Sequence, residues 1–330
     1  MYEFEQVTGP VHRIALEKSG SYPPPVDQPN NVYLLDGRRP ALINAGHPTQ
    51  FDGLCQALHE VGVAPSRIHR VVHTSWRIDV LGAAASFPDA DHFVLSPDMI
   101  QPRDYEAYVE RRRSRFVDDA RSIVEQHDYY DQDDLEQALA FAKQYWPRMT
   151  HRLDLVPIRS GHTVAAGELS FEVIETPGAN PGNTALYDSA EGVLFCGDIT
   201  LKGMPDFIDD VQPYLVSLER LLKIEAEHLL PNFGPASPRS QWMIKRALSF
   251  LNNFLSNAPA AMHEAPTVLE FIETDRGHRL EDLAEMVFAL QRFRRPMDEL
   301  ARARMIETEG KGLSRRYGVD VDDPRNKVRD

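Results

Sequence analysis

Cysteine is almost absent: the 330 residues hold two, Cys55 and Cys196. They are too few for a disulfide framework and lack C-x-x-C spacing, so a reducing, cytoplasmic setting is expected. Positive charge is also short. The net charge is −14, which disfavours nucleic acid and anionic membrane as partners. No stretch approaches the roughly 20 apolar residues that a membrane helix needs. The opening MYEFEQVTGPVHR lacks a basic segment followed by an apolar one, so no secretory leader is expected. No internal repeat marks a solenoid or propeller. What the chain does have is a hydrophobic fraction of 42% and enough length for one large domain or two.

The pattern along the chain alternates short strands with helices. NVYLLDGRRPALINAG reads as two apolar arms around Asp36-Gly37, a hairpin signal. QFDGLCQALHEVGV carries apolar residues at helical spacing, and HFVLSPDM predicts a strand over 92–99. Residues 101–150 differ in character. Tyr105, Tyr108, Phe116, Ala120, Ile123, Val124 and His127 form one helical stripe; Leu135, Ala138, Leu139, Ala142 and Trp146 form another. The acidic DYYDQDD between them offers an Asp as helix N-cap. Arg111-Arg112-Arg113 reads as a solvated face, with anion binding as the alternative. Beyond residue 237 the spacing predicts amphipathic helices and a polar tail at 319–330.

Five motifs in order carry a resemblance. VVHTSWRIDVLG reads as a buried strand, a polar loop and a helix start. It resembles the T-H-x-H-x-D-H-x-G segment of the metallo-β-lactamase superfamily, matched at Thr74, Asp79 and Gly82. NVYLLDG and the strand ending at Asn44-Ala45-Gly46 resemble the superfamily's opening, with Asn where Asp is usual. Thr176, Pro177, Gly178 and Gly182 fit T-P-G-H-x-x-G, and Leu194, Phe195, Gly197 and Asp198 fit L-F-x-G-D. Tyr214, Ser217, Leu218 and Leu221 fit the following helix; Pro231, Gly234 and Pro235 fit P-G-H-G-P. The implied fold is α/β, a four-layer αβ/βα metallo-β-lactamase-type sandwich. Its core would span residues 1–237, with a helical hairpin inserted at 101–150 and a helical C-terminal segment at 238–330. In this family such insertions often overhang the active site; extra core or a dimer contact is the plainer reading.

The resemblance also implies a binuclear zinc centre made by five histidines and two aspartates. Here the histidine positions hold Ser75, Arg77, Val80, Ala179 and Phe233, and only Asp79 and Asp198 remain. Apolar side chains cannot bind zinc, and a guanidinium has no free lone pair. No zinc and no other cofactor is therefore expected at this position. Two carboxylates facing a vacated cleft would raise the pKa of at least one of them. Arg77 is expected to bridge to Asp79, Asp198 or both, and Phe233, Ala179, Val80 and Trp76 to make the remainder apolar. His47, His73 and His162 are the histidines that could rebuild a metal site; a magnesium or calcium ion on the two aspartates is another option. Ser75 beside His73 suggests a nucleophile, with a hydrogen-bonding loop serine as the plainer alternative. Cys196 is expected to pack rather than react.

Three functions fit these residues. The first is a metal-free, non-catalytic or regulatory subunit partnering a metal-binding paralogue. The second is a metal-independent hydrolase or lyase of a small organic substrate, using Asp79 and Asp198 with Arg77. The third is a small-molecule binding protein using the cleft under the helical hairpin. A homo- or hetero-oligomer is expected in each case.

Overall fold

The computed structural model describes residues 1–96, 104–149, 153–180, 182–199, 208–262 and 266–318. Seven strands form the first sheet in plain sequence order: β1 (Tyr2–Thr8), β2 (Val11–Leu16), β3 (Asn30–Leu35), β4 (Ala41–Ile43), β5 (Arg70–His73), β6 (Asp91–Leu95) and β7 (Leu155–Ile158). Pairing is antiparallel from β1 to β4 and parallel from β4 to β7. The expected hairpin is β3–β4, with Tyr33 opposite Ile43 and Leu35 opposite Ala41. The strand expected over 92–99 ends at Leu95, and residues 97–99 lie outside the described residues.

The second sheet holds β8 (Thr163–Ala166), β9 (Leu169–Glu175), β10 (Thr184–Asp188), β11 (Val193–Gly197) and β12 (His228–Pro231) in the order β12-β11-β10-β9-β8. Its inner face meets that of the first sheet. Tyr33, Ile43 and Val72 from one side pack with Phe171, Val173, Leu186 and Phe195 from the other. Side chains of this size contribute about 1.5–3 kcal/mol each on burial. In β9 the alternation is clear: Leu169, Phe171 and Val173 are buried while Ser170 and Glu172 are exposed. In β3 every residue is buried, as a strand covered on both faces requires.

Eight helices complete the described chain: α1 (Phe51–Glu60), the single turn α2 (Ile78–Leu81), α3 (Tyr105–Gln126), α4 (Gln132–Tyr145), α5 (Val211–Leu221), α6 (Ser240–Asn257), α7 (Val268–Arg276) and α8 (Leu283–Arg302). Leu54 and Leu58 of α1 and Leu218 and Leu221 of α5 face the core. The result is the four-layer helix–sheet–sheet–helix sandwich that the motifs imply.

The inserted α3–α4 hairpin forms as its stripes predict. Asp131 caps α4 by accepting from the backbone N–H groups of Asp133 and Asp134, and the Asp134 carboxylate accepts from the Asp131 N–H. Such a cap is worth about 1 kcal/mol. The hairpin packs on the C-terminal segment: Phe116, Phe141 and Trp146 gather around Phe288 of α8. That segment is not helical throughout. It also carries a small antiparallel pair, β13 (Glu307–Glu309) with β14 (Arg316–Gly318), where Tyr317 is buried opposite Thr308. The tail from 319 lies outside the described residues.

Two glycines fix the loops around the cleft. A Cβ on Gly182 would lie 1.7 Å from Trp76 Cδ1. Gly178, at φ +122°, lets the T-P-G turn approach the Tyr214 backbone, 2.4 Å from where its Cβ would stand.

Candidate functional site

The site forms where the ends of β5, β9, β11 and β12 converge beneath α4. The polar loop after β5 brings Ser75, Arg77 and Asp79 to one point, with Arg77 in extended backbone just before α2. Asp79 is wholly buried. Its Oδ2 accepts from Arg77 Nη2 at 2.5 Å and from the Tyr145 hydroxyl at 2.5 Å. The Lys18 ammonium, from the loop after β2, makes an ion-pair contact with Oδ1 at 3.2 Å and donates to the Gln28 carbonyl. Burial alone would push the Asp79 carboxyl up, but Lys18 and Arg77, with His47 and Tyr145, hold it well below the usual carboxylate range. Burial pushes the Lys18 ammonium down, and Asp79 only partly restores it. For Arg77 burial also opposes the charge, but Asp79, Tyr145 and Asp198 outweigh it and keep the guanidinium ionised.

Asp198 sits differently. Its Oδ2 accepts from the Ser75 hydroxyl at 2.5 Å and from Asn180 Nδ2 at 2.7 Å; its Oδ1 accepts from Asn232 Nδ2 at 2.8 Å. Arg77 Nε stands 4.0 Å away. Burial outweighs these partners and raises the Asp198 carboxyl above its ordinary value. The expectation is that at least one of the two acids is raised; Asp198 is, chiefly through burial, while Asp79 is lowered by its cations. The expected Arg77 bridge is also present, tight to Asp79 and loose to Asp198.

Amides extend the network. The Asn44 amide donates to Asn232 Oδ1 at 2.8 Å, and Asn44 Oδ1 accepts from the Thr74 N–H at 3.0 Å. The Thr74 hydroxyl lies between Asn44 and Asn232, and the Thr74 carbonyl accepts the Thr184 N–H from the other sheet. Phe233 lies under the guanidinium of Arg77, 5.1 Å from ring centroid to Cζ. Trp76 is a packing residue: its Nε1 donates to the Leu95 carbonyl and its ring meets Tyr105 and Tyr108 edge-on. Val80 and Ala179 are both buried. Beside Arg77 and Asp79, ringed by Tyr108, Arg112, Tyr145 and Trp146, a recess of about 20 Å³ remains. That admits about one water molecule.

Residues 25–231 match the model of the metallo-β-lactamase superfamily. The chain belongs to that superfamily. A curated relative, the β-lactamase-like protein 2 homolog of Caenorhabditis elegans, is 23% identical over 209 residues, which is 63% of this chain and 57% of that protein. The hydroxyacylglutathione hydrolase of Legionella pneumophila (strain Corby) is 33% identical over 84 residues, 24% of this chain and 33% of the enzyme. The chain thus spans little more than half of the nematode protein and a third of the bacterial one. Among solved structures, a β-lactamase domain protein from Burkholderia ambifaria superposes with TM-score 0.76 at 19% identity, covering 96% of this chain and 94% of that one. A metallo-β-lactamase family protein from Thermus thermophilus gives 0.73 at 18%, covering 94% and 98%. At these identities the likeness is one of fold, and it takes in the inserted hairpin and the C-terminal segment.

The residues present do not fit the superfamily's binuclear zinc. Its five histidine positions hold Ser75, Arg77, Val80, Ala179 and Phe233. The two carboxylates that remain have all four oxygens engaged by protein donors or by Lys18. Among the described residues, no group of three or more His, Cys, Asp or Glu gathers to hold a metal.

The other candidates lie elsewhere. His47 is closest, stacked on Tyr145 at 5.4 Å, but both ring nitrogens are engaged, by Thr49 and by the Tyr145 carbonyl. Burial lowers its pKa. His73 turns away from the cleft and bonds His92 at 3.0 Å, so it is no base for Ser75. His162 is exposed on the turn before β8. Cys196 is fully buried, and burial pushes its thiol up, away from reactivity. The arginine run departs from expectation in one member. Arg111 is exposed, but Arg112 turns toward the cleft and pairs with Asp209 at 2.9 Å.

The sequence reading missed Lys18, Tyr145, Asn180 and Asn232. The two asparagines were within reach, because each adjoins a lost histidine position in TPGANPG and PNFGP. Lys18 and Tyr145 carried no signal, since neither belongs to a motif and only the fold brings them to Asp79.

Proposed function

We propose that this chain is a metallo-β-lactamase-like protein whose ancestral centre has become a buried ion-pair and amide network. It works by binding, as a non-catalytic or regulatory subunit alongside a metal-binding paralogue. One observation carries this reading. Every oxygen of Asp79 and Asp198 faces a protein donor or the Lys18 ammonium, Asp79 Oδ1 through an ion-pair contact alone, so a metal, an attacking water or a substrate proton would have to compete with those partners. The small size of the recess supports the same reading.

A second reading rests on the raised Asp198 carboxyl and its contact with Ser75: a metal-independent hydrolase or lyase of a small organic substrate. Elemental analysis and native mass separate the two, on protein purified from its own host and from a culture supplied with zinc, iron and manganese. The subunit reading expects no stoichiometric metal and a native mass that includes a second chain with intact metal ligands. Stoichiometric metal overturns it. So does turnover of ester, thioester or lactone substrates in the presence of chelator that disappears in Asp198→Asn.

A further inference from the structure

The chain carries 36 Lys and Arg against 50 Asp and Glu, and two of its arginines line the recess beside the cleft. They are Arg77 and Arg112, each paired with an acid, Arg77 with Asp79 at 2.5 Å and Arg112 with Asp209 at 2.9 Å. The register of two helices brings Arg115 near Arg112 and Arg295. Asp119 of α3 accepts from Gln291 and Arg294 of α8, at 2.9 and 3.0 Å, so its charge is already met. One turn back along α3 stands Arg115, and one turn beyond Gln291 on α8 stands Arg295. Arg112 continues the same face of α3 into the recess. Burial, followed by the like charges of Arg112 and Arg295, pushes the Arg115 guanidinium below its ordinary value. Arg295 Nε is buried without a hydrogen-bond partner among the described residues.

Tyr108 supplies an independent observation. It lines the recess with 6% of its surface exposed, and its hydroxyl has no hydrogen-bond partner among the described residues. Trp76 and Tyr105 hold its ring in place. Burial raises the phenol to about 12, so the O–H stays on and is a donor. A buried, unused donor costs about 1–3 kcal/mol unless something accepts from it.

We propose that this recess binds an oxyanion head group, a carboxylate or phosphate, with the Tyr108 hydroxyl and the Arg112 guanidinium, which Asp209 holds at Nη1, as its ligands. One oxygen fits the water-sized space beside Arg77, and the rest of the group lies in the mouth. Arg115 and Arg295 supply surrounding charge. The proposal goes beyond the functional reading above by giving a binding role its chemistry. Because equilibrium binding tests it without reference to turnover or metal, the two readings fail separately.

The experiment is calorimetric titration of the full chain with inorganic phosphate and with acetate, against sodium chloride at matched ionic strength. Saturable binding beyond the chloride control is expected; phosphate alone, acetate alone, or both identifies the head group. Tyr108→Phe is expected to weaken that binding about tenfold, the loss typical of a hydrogen bond to a charged acceptor. The thermal midpoint of the ligand-free variant stays level or rises, because the hydroxyl has no partner to lose. Arg115→Gln is expected to weaken binding several-fold, more at low salt than at high. No saturable binding beyond chloride for either anion overturns the proposal, as does binding indifferent to Tyr108→Phe.

Discussion

Replacing Asp79 by Asn tests the central electrostatic argument. The carboxylate is fully buried and balances two cations, Lys18 with 1% and Arg77 with 6% of side-chain surface exposed. Asn keeps the shape and removes the charge. Arg77 cannot lose its proton, so it stays charged with only the more distant Asp198 opposite. Breaking a buried pair from one side costs about 3–5 kcal/mol. That is on the order of 10²–10⁴ in the folding equilibrium and roughly 4–7 °C in melting temperature for a chain of this length. Lys18 can escape by deprotonating, which predicts a pH signature. Burial already lowers its pKa, and without Asp79 it falls further. Between that value and about 10.4 the unfolded chain binds the proton and the folded chain does not, so the variant gains stability as pH rises. Urea unfolding at pH 7 and pH 9.5 reads both effects. The deficit relative to the parent is expected to be large at pH 7 and smaller at pH 9.5. Lys18→Met combined with Asp79→Asn is expected to cost less than the sum of the two single changes. An Asp79→Asn chain as stable as the parent at pH 7 would refute the reasoning.

Asp198→Asn turns an amide NH₂ toward Asn180 or Asn232, whichever oxygen it replaces, and Asn232 cannot flip without losing Asn44 and Thr74. It is expected to cost about 1–3 kcal/mol in urea unfolding; a neutral or stabilising result would mean that the amides reorient freely. Gly182→Ala places a methyl group inside Trp76 and is expected to cost about 3 kcal/mol or more, with a changed tryptophan fluorescence; an unaltered spectrum and midpoint would place Trp76 elsewhere. Burial lowers the pKa of His47, His73 and His92, so below about pH 6.5 the unfolded chain takes up protons that the folded chain does not. Each then removes about 1.4 kcal/mol per pH unit until its folded value is reached, while the raised Asp198 acts in the opposite sense. Urea midpoints are thus expected to fall between pH 7 and pH 5, and a flat profile would mean that these histidines charge in the folded state.

The scaffold was legible because its motifs are geometric. Gly178 and Gly182 stand where a side chain would collide with Tyr214 or Trp76, and such constraints are visible as letters. The loss of histidines was legible too, since a position either has a donor nitrogen or does not. What replaced them was half legible. Arg77 sits inside the motif, so its pairing with Asp79 followed from chemistry. Lys18 lies about sixty residues earlier in a proline-rich loop, and Tyr145 about as far beyond, at the end of an insertion. Neither has a period or spacing that points to Asp79; only the closing of the fold brings them there. Arg112 misled for a related reason. A run of arginines on a helix looks solvated until α3 is known to lie over the cleft.

The arrangement answers a charge problem that any chain with this pair of acids must solve. Two carboxylates buried within one cleft repel each other and are poorly solvated. Either they disappear, or something positive or hydrogen-bonding must face them. Here the two solutions are divided between the acids. Asp79 keeps its charge because Lys18 and Arg77 face it. Asp198 is met by a hydroxyl and two amides, and its carboxyl is raised. The donors come from the loops after β2, β5, β9 and β12 and from α4, so one buried cluster ties both sheets to the inserted hairpin. A catalytic centre must leave a site open and a proton free to move. A structural cluster gains from the reverse, with its oxygens facing protein donors and cations and no ligand exchanging. On the proposed reading Asp79 and Asp198 fasten the layers together, and the proposed oxyanion is met instead by the Tyr108 hydroxyl, which has no hydrogen-bond partner among the described residues.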